Sequence, residues 1–144
     1  MSYSKISFFS EDISFTLKDK TKVRNWIQSA IRAEGYSTGT LNFIFCSDSY
    51  LLTINQQYLN HDTYTDIITF DTSEEENKIE GDIFISIERV RENAKQFNTQ
   101  TADELHRVII HGVLHLLGYK DKSKKDKDLM TQKEDHYLST RFPA

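Results

Sequence analysis

His111 and His115 stand four residues apart in the run His111-Gly112-Val113-Leu114-His115-Leu116-Leu117-Gly118. At 3.6 residues per helical turn, that spacing stacks two imidazoles on one face. Neutral imidazole is a good ligand for a divalent transition metal, and an i, i+4 pair supplies two at once. A third ligand must come from elsewhere. Gly118 can take the left-handed conformation that ends a helix and turns the chain back. Asp121 is the first carboxylate after it. The set His111, His115 and Asp121 is therefore the candidate site for one zinc ion, with one coordination position left open. The competing arrangement is two buried histidines bonded to backbone carbonyls, which a bare His-x-x-x-His also permits.

The histidine pair needs a buried helix to hold it. Leu105, Val108, Ile109, Ile110, Val113, Leu114, Leu116 and Leu117 cover the rest of that helix. Thr101-Ala102-Asp103-Glu104 has the capping-box pattern and is expected to mark its start. His106 lies five positions before His111, about 140° away around the helix, and reads as a packing histidine. Ahead of this helix, Ile6 to Phe9 reads as a strand. Ile13, Phe15 and Leu17 alternate with polar residues, as in a second strand or hairpin arm. Asp19 can cap a helix carrying Val23, Trp26, Ile27, Ala30 and Ile31, with Gly35 at its end. Leu41 to Cys46 is a strand, and Ser47 and Asp48 offer a helix start before Leu51, Ile54 and Tyr58. The polar run Asn60 to Thr65 is a loop. Ile67 to Phe70 and Gly81 to Ile87 are strands flanking the acidic turn Glu74-Glu75-Glu76-Asn77. Ser86 can cap a helix carrying Val90, Ala94 and Phe97. Ser123 opens a last helix with Leu129, Met130, Lys133 and Tyr137 on one side. The expected fold is α+β: one mixed sheet of about four strands packed with helices.

With 144 residues, the chain is expected to form a single domain over residues 1–144. A chain of this size can bury roughly 68–70% of its unfolded surface without staples. One cysteine, Cys46, excludes an internal disulfide framework and a cysteine-rich zinc finger. With neither a secretory leader nor an apolar run near membrane length, a cytoplasmic protein with no membrane partner is expected. The net charge of −4 gives no support to broad nucleic-acid binding. Locally, however, Lys120, Lys122, Lys124, Lys125 and Lys127 follow the histidine pair. They form either a solvated mixed-charge face or a basic rim that steers a polyanion to the metal.

The residues His111-Gly112-x-Leu114-His115-Leu116-x-Gly118-Tyr119 resemble the signature of the YbeY family of bacterial rRNA-maturation endoribonucleases. Asn55-x-x-Tyr58, with Asp62, Thr65-Asp66 and Phe70, resembles the family's central motif. Gly81-Asp82-Ile83-x-Ile85-Ser86 resembles its edge-strand motif, and Met130-x-x-x-Glu134 its C-terminal helix. The resemblance implies one zinc ion per chain and a metzincin-like arrangement with the metal helix beneath the sheet. It further implies single-strand-specific endoribonuclease activity in rRNA processing, at the 3′ end of 16S rRNA, and in ribosome quality control. Ribosomal RNA and ribosome-associated proteins are the implied partners.

Two positions depart from the family pattern. The signature usually ends in Asp-His, whose histidine is the third ligand; here the residues are Lys120 and Asp121. A carboxylate in that place lowers the site's positive charge by one and weakens its Lewis acidity. His136 is the runner-up ligand, on a separate helix. The family's arginine after the tyrosine is Leu59 here, which cannot grip a phosphate; His61 and Lys120 are the candidates to replace it. Asp66 is a candidate base or outer partner of the metal ligands, although structural roles are favoured for it and for Asp62. Gly112 occupies the place of the glutamate in His-Glu-x-x-His peptidases, which argues against an ordinary zinc peptidase. The alternatives are a ribosome-associated binding module with a structural metal and a zinc hydrolase or peptidase of other specificity.

Overall fold

The computed structural model describes residues 5–59 and 65–142. The elements run β1 (Ile6–Ser10), α1 (Lys20–Ala33), β2 (Ser37–Cys46), α2 (Asp48–Leu59), β3 (Ile67–Asp71) and β4 (Lys78–Ser86). They continue α3 (Ile87–Gln96), α4 (Thr101–Leu116) and α5 (Lys124–Ser139). The strands form one sheet in the order β1-β2-β4-β3. β1 and β4 both pair parallel with β2, and β3 pairs antiparallel with β4. The fold is therefore α+β with a mixed four-stranded sheet, as the alternation of elements predicts. Among the described residues, no helix is long and apolar enough to cross a membrane.

Period-two alternation sorts the two faces of the sheet. Leu41, Phe43 and Phe45 of β2 and Ile83 and Ile85 of β4 point into the main core, where α1 and α4 cover them. On the other face, α2 packs Leu51 and Ile54 onto Ile68. Helix α4 is buried along nearly its whole length because apolar residues lie on several sides of it. Gly112 lets it lie close to the sheet. A Cβ there would sit 2.8 Å from Ile67 Cδ1 and 3.1 Å from Ile83 Cγ2. Trp26 is a core residue whose indole N–H donates to the Tyr137 carbonyl at 2.8 Å, joining α1 to α5.

Ser47, Ser86 and Ser123 cap α2, α3 and α5 through their hydroxyls, as read from sequence. Several other expectations change. Residues 13–17 form no strand; Leu17 is buried, and Phe15 turns edge-on to Phe45 with ring centroids 5.0 Å apart. Their alternation reflects packing over the core without a neighbouring strand to bond. Asp19 occupies the N-cap of α1 in a left-handed conformation, but its side chain makes no cap hydrogen bond. Thr101 is the first helical residue of α4, and Gln100 the N-cap, again without a side-chain bond. Strand β4, matched to an edge-strand motif, lies inside the sheet between β2 and β3. Tyr58, Phe97 and Leu129 are exposed, so the buried stripes of their helices are narrower than the sequence spacing suggests.

Candidate metal centre

Helix α4 and the turn after it bring the three predicted ligands together. Gly118 has φ +106, which reverses the chain one turn beyond His115. The Leu117, Gly118 and Tyr119 N–H groups donate to the Val113, His115 and Leu114 carbonyls, which closes the helix end. Asp121 is thereby placed over the imidazoles. Its Oδ2 lies 3.5 Å from His111 Nε2 and 3.4 Å from His115 Nε2. One donor atom from each residue lies within 4.8 Å of the others. A tetrahedral ion with bonds of about 2.0–2.1 Å spaces its ligands by about 3.3–3.4 Å. Two nitrogens and a carboxylate oxygen at these separations fit a divalent transition metal, and the group can hold one.

The His111 ring is held by its other nitrogen. His111 Nδ1 is 2.6 Å from Glu134 Oε2. An ionised carboxylate only accepts, so Nδ1 carries the proton and the Nε2 lone pair faces Asp121. Glu134 is held in turn by Arg107, 2.8 Å away, which also bonds Asp135 at 2.7 Å. The Tyr119 backbone beside His115 acts on that ring as a hydrogen-bond partner that pulls its pKa up. Burial pushes the His111 pKa down, but the Glu134 bond and charge, with Asp121 and Asp66, leave it raised overall. For His115, burial and the neighbouring His111 win, and its pKa is lowered. The two imidazoles are therefore unequal in the metal-free protein.

Beside the ligands is a cavity of about 280 Å³ lined by Asp66, Glu104, Arg107, Val108, His111, Asp121 and Glu134. Four carboxylates face a single guanidinium there. Such a cavity favours a cation and repels phosphate without one. Burial raises the Asp66 pKa, and burial with the Asp66 charge raises that of Glu104.

The family model of Endoribonuclease YbeY matches residues 5–141. The chain belongs to the YbeY endoribonuclease family. It is 53% identical to Endoribonuclease YbeY of Cytophaga hutchinsonii over 141 residues, covering 98% of this chain and 99% of the relative. Against that of Flavobacterium psychrophilum it is 56% identical over 130 residues, covering 90% and 92%. The solution structure of TM1509 from Thermotoga maritima superposes with a TM-score of 0.66 at 29% identity, covering 93% of this chain and 87% of that one.

Within this YbeY fold the other predicted site residues fall in different places. Asp66 lines the cavity, while its carbonyl accepts from the Ser86 N–H at 3.0 Å and so extends the β3–β4 pairing. Lys120 is exposed, as are Lys122, Lys124, Lys125 and Lys127. His61 and Asp62 lie outside the described residues. His136 is exposed on α5, apart from the donor group. His106 is buried between Trp26 and Phe142, with ring centroids 5.7 and 5.3 Å away. Leu59 is 41% exposed. Gly112 is buried against the sheet, so its position does not open on the cavity. Sequence reasoning missed Arg107 and Glu104 as cavity residues and gave Glu134 only as part of a helix motif. The one available signal was their spacing from the histidines: Glu104, Arg107 and His111 recur at intervals of three and four along α4.

Proposed function

We propose that this chain is a zinc-dependent endoribonuclease that cleaves single-stranded ribosomal RNA in the cytoplasm during ribosome maturation. The convergence of His111 Nε2, His115 Nε2 and Asp121 Oδ2 at 3.4–3.5 Å carries the proposal. His111, His115 and Asp121 would hold the ion. A zinc ion bound there would supply Lewis acidity toward a phosphoryl oxygen and a water nucleophile. Glu134 orients His111, and the Tyr119 backbone orients His115. Asp66, raised in pKa by burial and adjacent in the cavity, is the candidate to accept a proton from the attacking water. The exposed lysines from Lys120 to Lys127 hold flanking phosphates where the family's arginine is replaced by Leu59.

A structural metal would call for a fourth protein ligand. Among the described residues the donor group has three members, and Glu134 is engaged by His111 and Arg107. The three-member group favours catalysis over the binding-module alternative. The test is zinc content of the wild type beside His115→Ala and Asp121→Ala, with single-stranded RNA cleavage assayed on the same samples. One zinc per chain, lost in both variants together with cleavage, is the expected result. Zinc retained by a wild type that cuts no RNA would favour the binding module.

A further inference from the structure

Glu34 lies at the C-cap of α1, remote in sequence from every residue of the metal group. Its side chain is only 13% exposed. It accepts a hydrogen bond from the Tyr119 hydroxyl at 2.5 Å, another from the Tyr137 hydroxyl, and pairs with Lys133 at 3.2 Å. The Lys133 ammonium also stands 5.5 Å from the Tyr119 ring centroid. Tyr119 is thus gripped at its hydroxyl by α1 and across its ring by α5.

Tyr119 itself touches the metal group in two ways. Its N–H donates to the Leu114 carbonyl at 3.0 Å, next to His115, and its backbone is a hydrogen-bond partner that pulls the His115 pKa up. It also stands two residues before Asp121, whose carboxylate is 42% exposed and meets the two imidazoles. On the far side the chain is fixed again at the Ser123–Asp126 capping box of α5. Among the described residues, the Tyr119 side chain is what ties the turn between those anchors to α1 and α5. We infer that Glu34 is a positioning residue for the metal site, acting through Tyr119 to fix the orientation of His115 and the reach of Asp121. This inference rests on the ligand set proposed above. The orienting partners of metal ligands typically change metal affinity about 10–100-fold when removed. Acting one step further out, Glu34 is expected at the lower end of that range.

The measurement is zinc affinity of the full chain by competition with a chromophoric chelator, alongside the melting temperature of the metal-free protein. Glu34→Ala and Tyr119→Phe are each expected to weaken zinc about tenfold. The double variant should be no weaker than the stronger single, because both cut one linkage. Tyr119→Phe removes a single oxygen and keeps the ring, so it reports even if Glu34→Ala folds poorly. Tyr137→Phe removes another bond to the same carboxylate without reaching the turn; it should lower the melting temperature and leave affinity within about twofold. Affinity unchanged in Tyr119→Phe, additive losses in the double, or an equal loss in Tyr137→Phe would overturn the role of Glu34. Asp121→Ala serves as the reference. If wild-type zinc binding is absent, or survives Asp121→Ala, the ligand set itself is wrong and the inference goes with it.

Discussion

Glu134 and His111 are joined at 2.6 Å across 23 residues of sequence, the carboxylate of α5 accepting the ring N–H of α4. Arg107 holds Glu134 from the other side, so the imidazole is set by a relay of two side chains. Fixing the proton on Nδ1 leaves the Nε2 lone pair facing Asp121 and removes rotational freedom that binding a metal there would otherwise have to freeze.

Glu134→Ala is expected to weaken zinc binding by about 10–100-fold while keeping one site per chain. Chelator competition on the purified variant reads this directly. Wild-type affinity in the variant would mean that the His111 orientation is set by helix packing alone.

Asp121→His places the family's imidazole over the pair. The site would then carry one more unit of positive charge when the metal is bound. The acidic limb of the RNA-cleavage pH profile should move to lower pH, and cleavage near neutrality should rise. A profile that stays in place, with zinc still bound, would show that the carboxylate does not limit the Lewis acidity.

Gly112→Ala tests how closely α4 is seated on the sheet. The added methyl group would meet Ile67 at 2.8 Å and Ile83 at 3.1 Å. Overpacking of this kind costs about 1–3 kcal/mol. Urea unfolding of the metal-free protein should show that loss, and zinc affinity should fall with it because both histidines ride on the same helix. Full stability in the variant would show that the helix can lift from the sheet at no cost.

His106 is expected to give the protein an acid sensitivity separate from the metal site. Burial and the adjacent Arg141 guanidinium lower its pKa to about 4, and the guanidinium stands 2.9 Å from Nδ1. At pH 7 the ring is neutral in the folded chain and mostly neutral in the unfolded one. Below about 6.5 the unfolded chain takes up a proton that the native chain refuses until pH falls to about 4. Native stability therefore declines across that window as pH falls. Metal-free wild type should lose more stability between pH 7 and pH 5 than His106→Leu does. Equal losses would place the acid sensitivity elsewhere.

By itself, the sequence determined whatever depends on neighbours within a turn or two. The four-residue spacing put His111 and His115 on one face, and Gly118 supplied the reversal that brings Asp121 back over them. Ser47, Ser86 and Ser123 announced helix starts because a cap bond reaches only two or three residues. Alternation in β2 and β4 named the residues of the main core. The same local logic misled at Ile13 to Leu17, because alternation records burial and says nothing about a strand to pair with. At Thr101 it misled because a capping pattern does not oblige the side chain to make the bond. Tertiary structure decided the order of the strands, and with it the interior position of β4. It also decided the partners of the metal group. Glu134 meets His111 across 23 residues, and Glu34 meets Tyr119 across 85. Neither carboxylate has a local signature, because an acidic residue on an amphipathic helix looks the same in sequence whether it faces water or an imidazole. Only the packing of α1 and α5 around α4 turns those two acids inward, where low exposure makes their hydrogen bonds count.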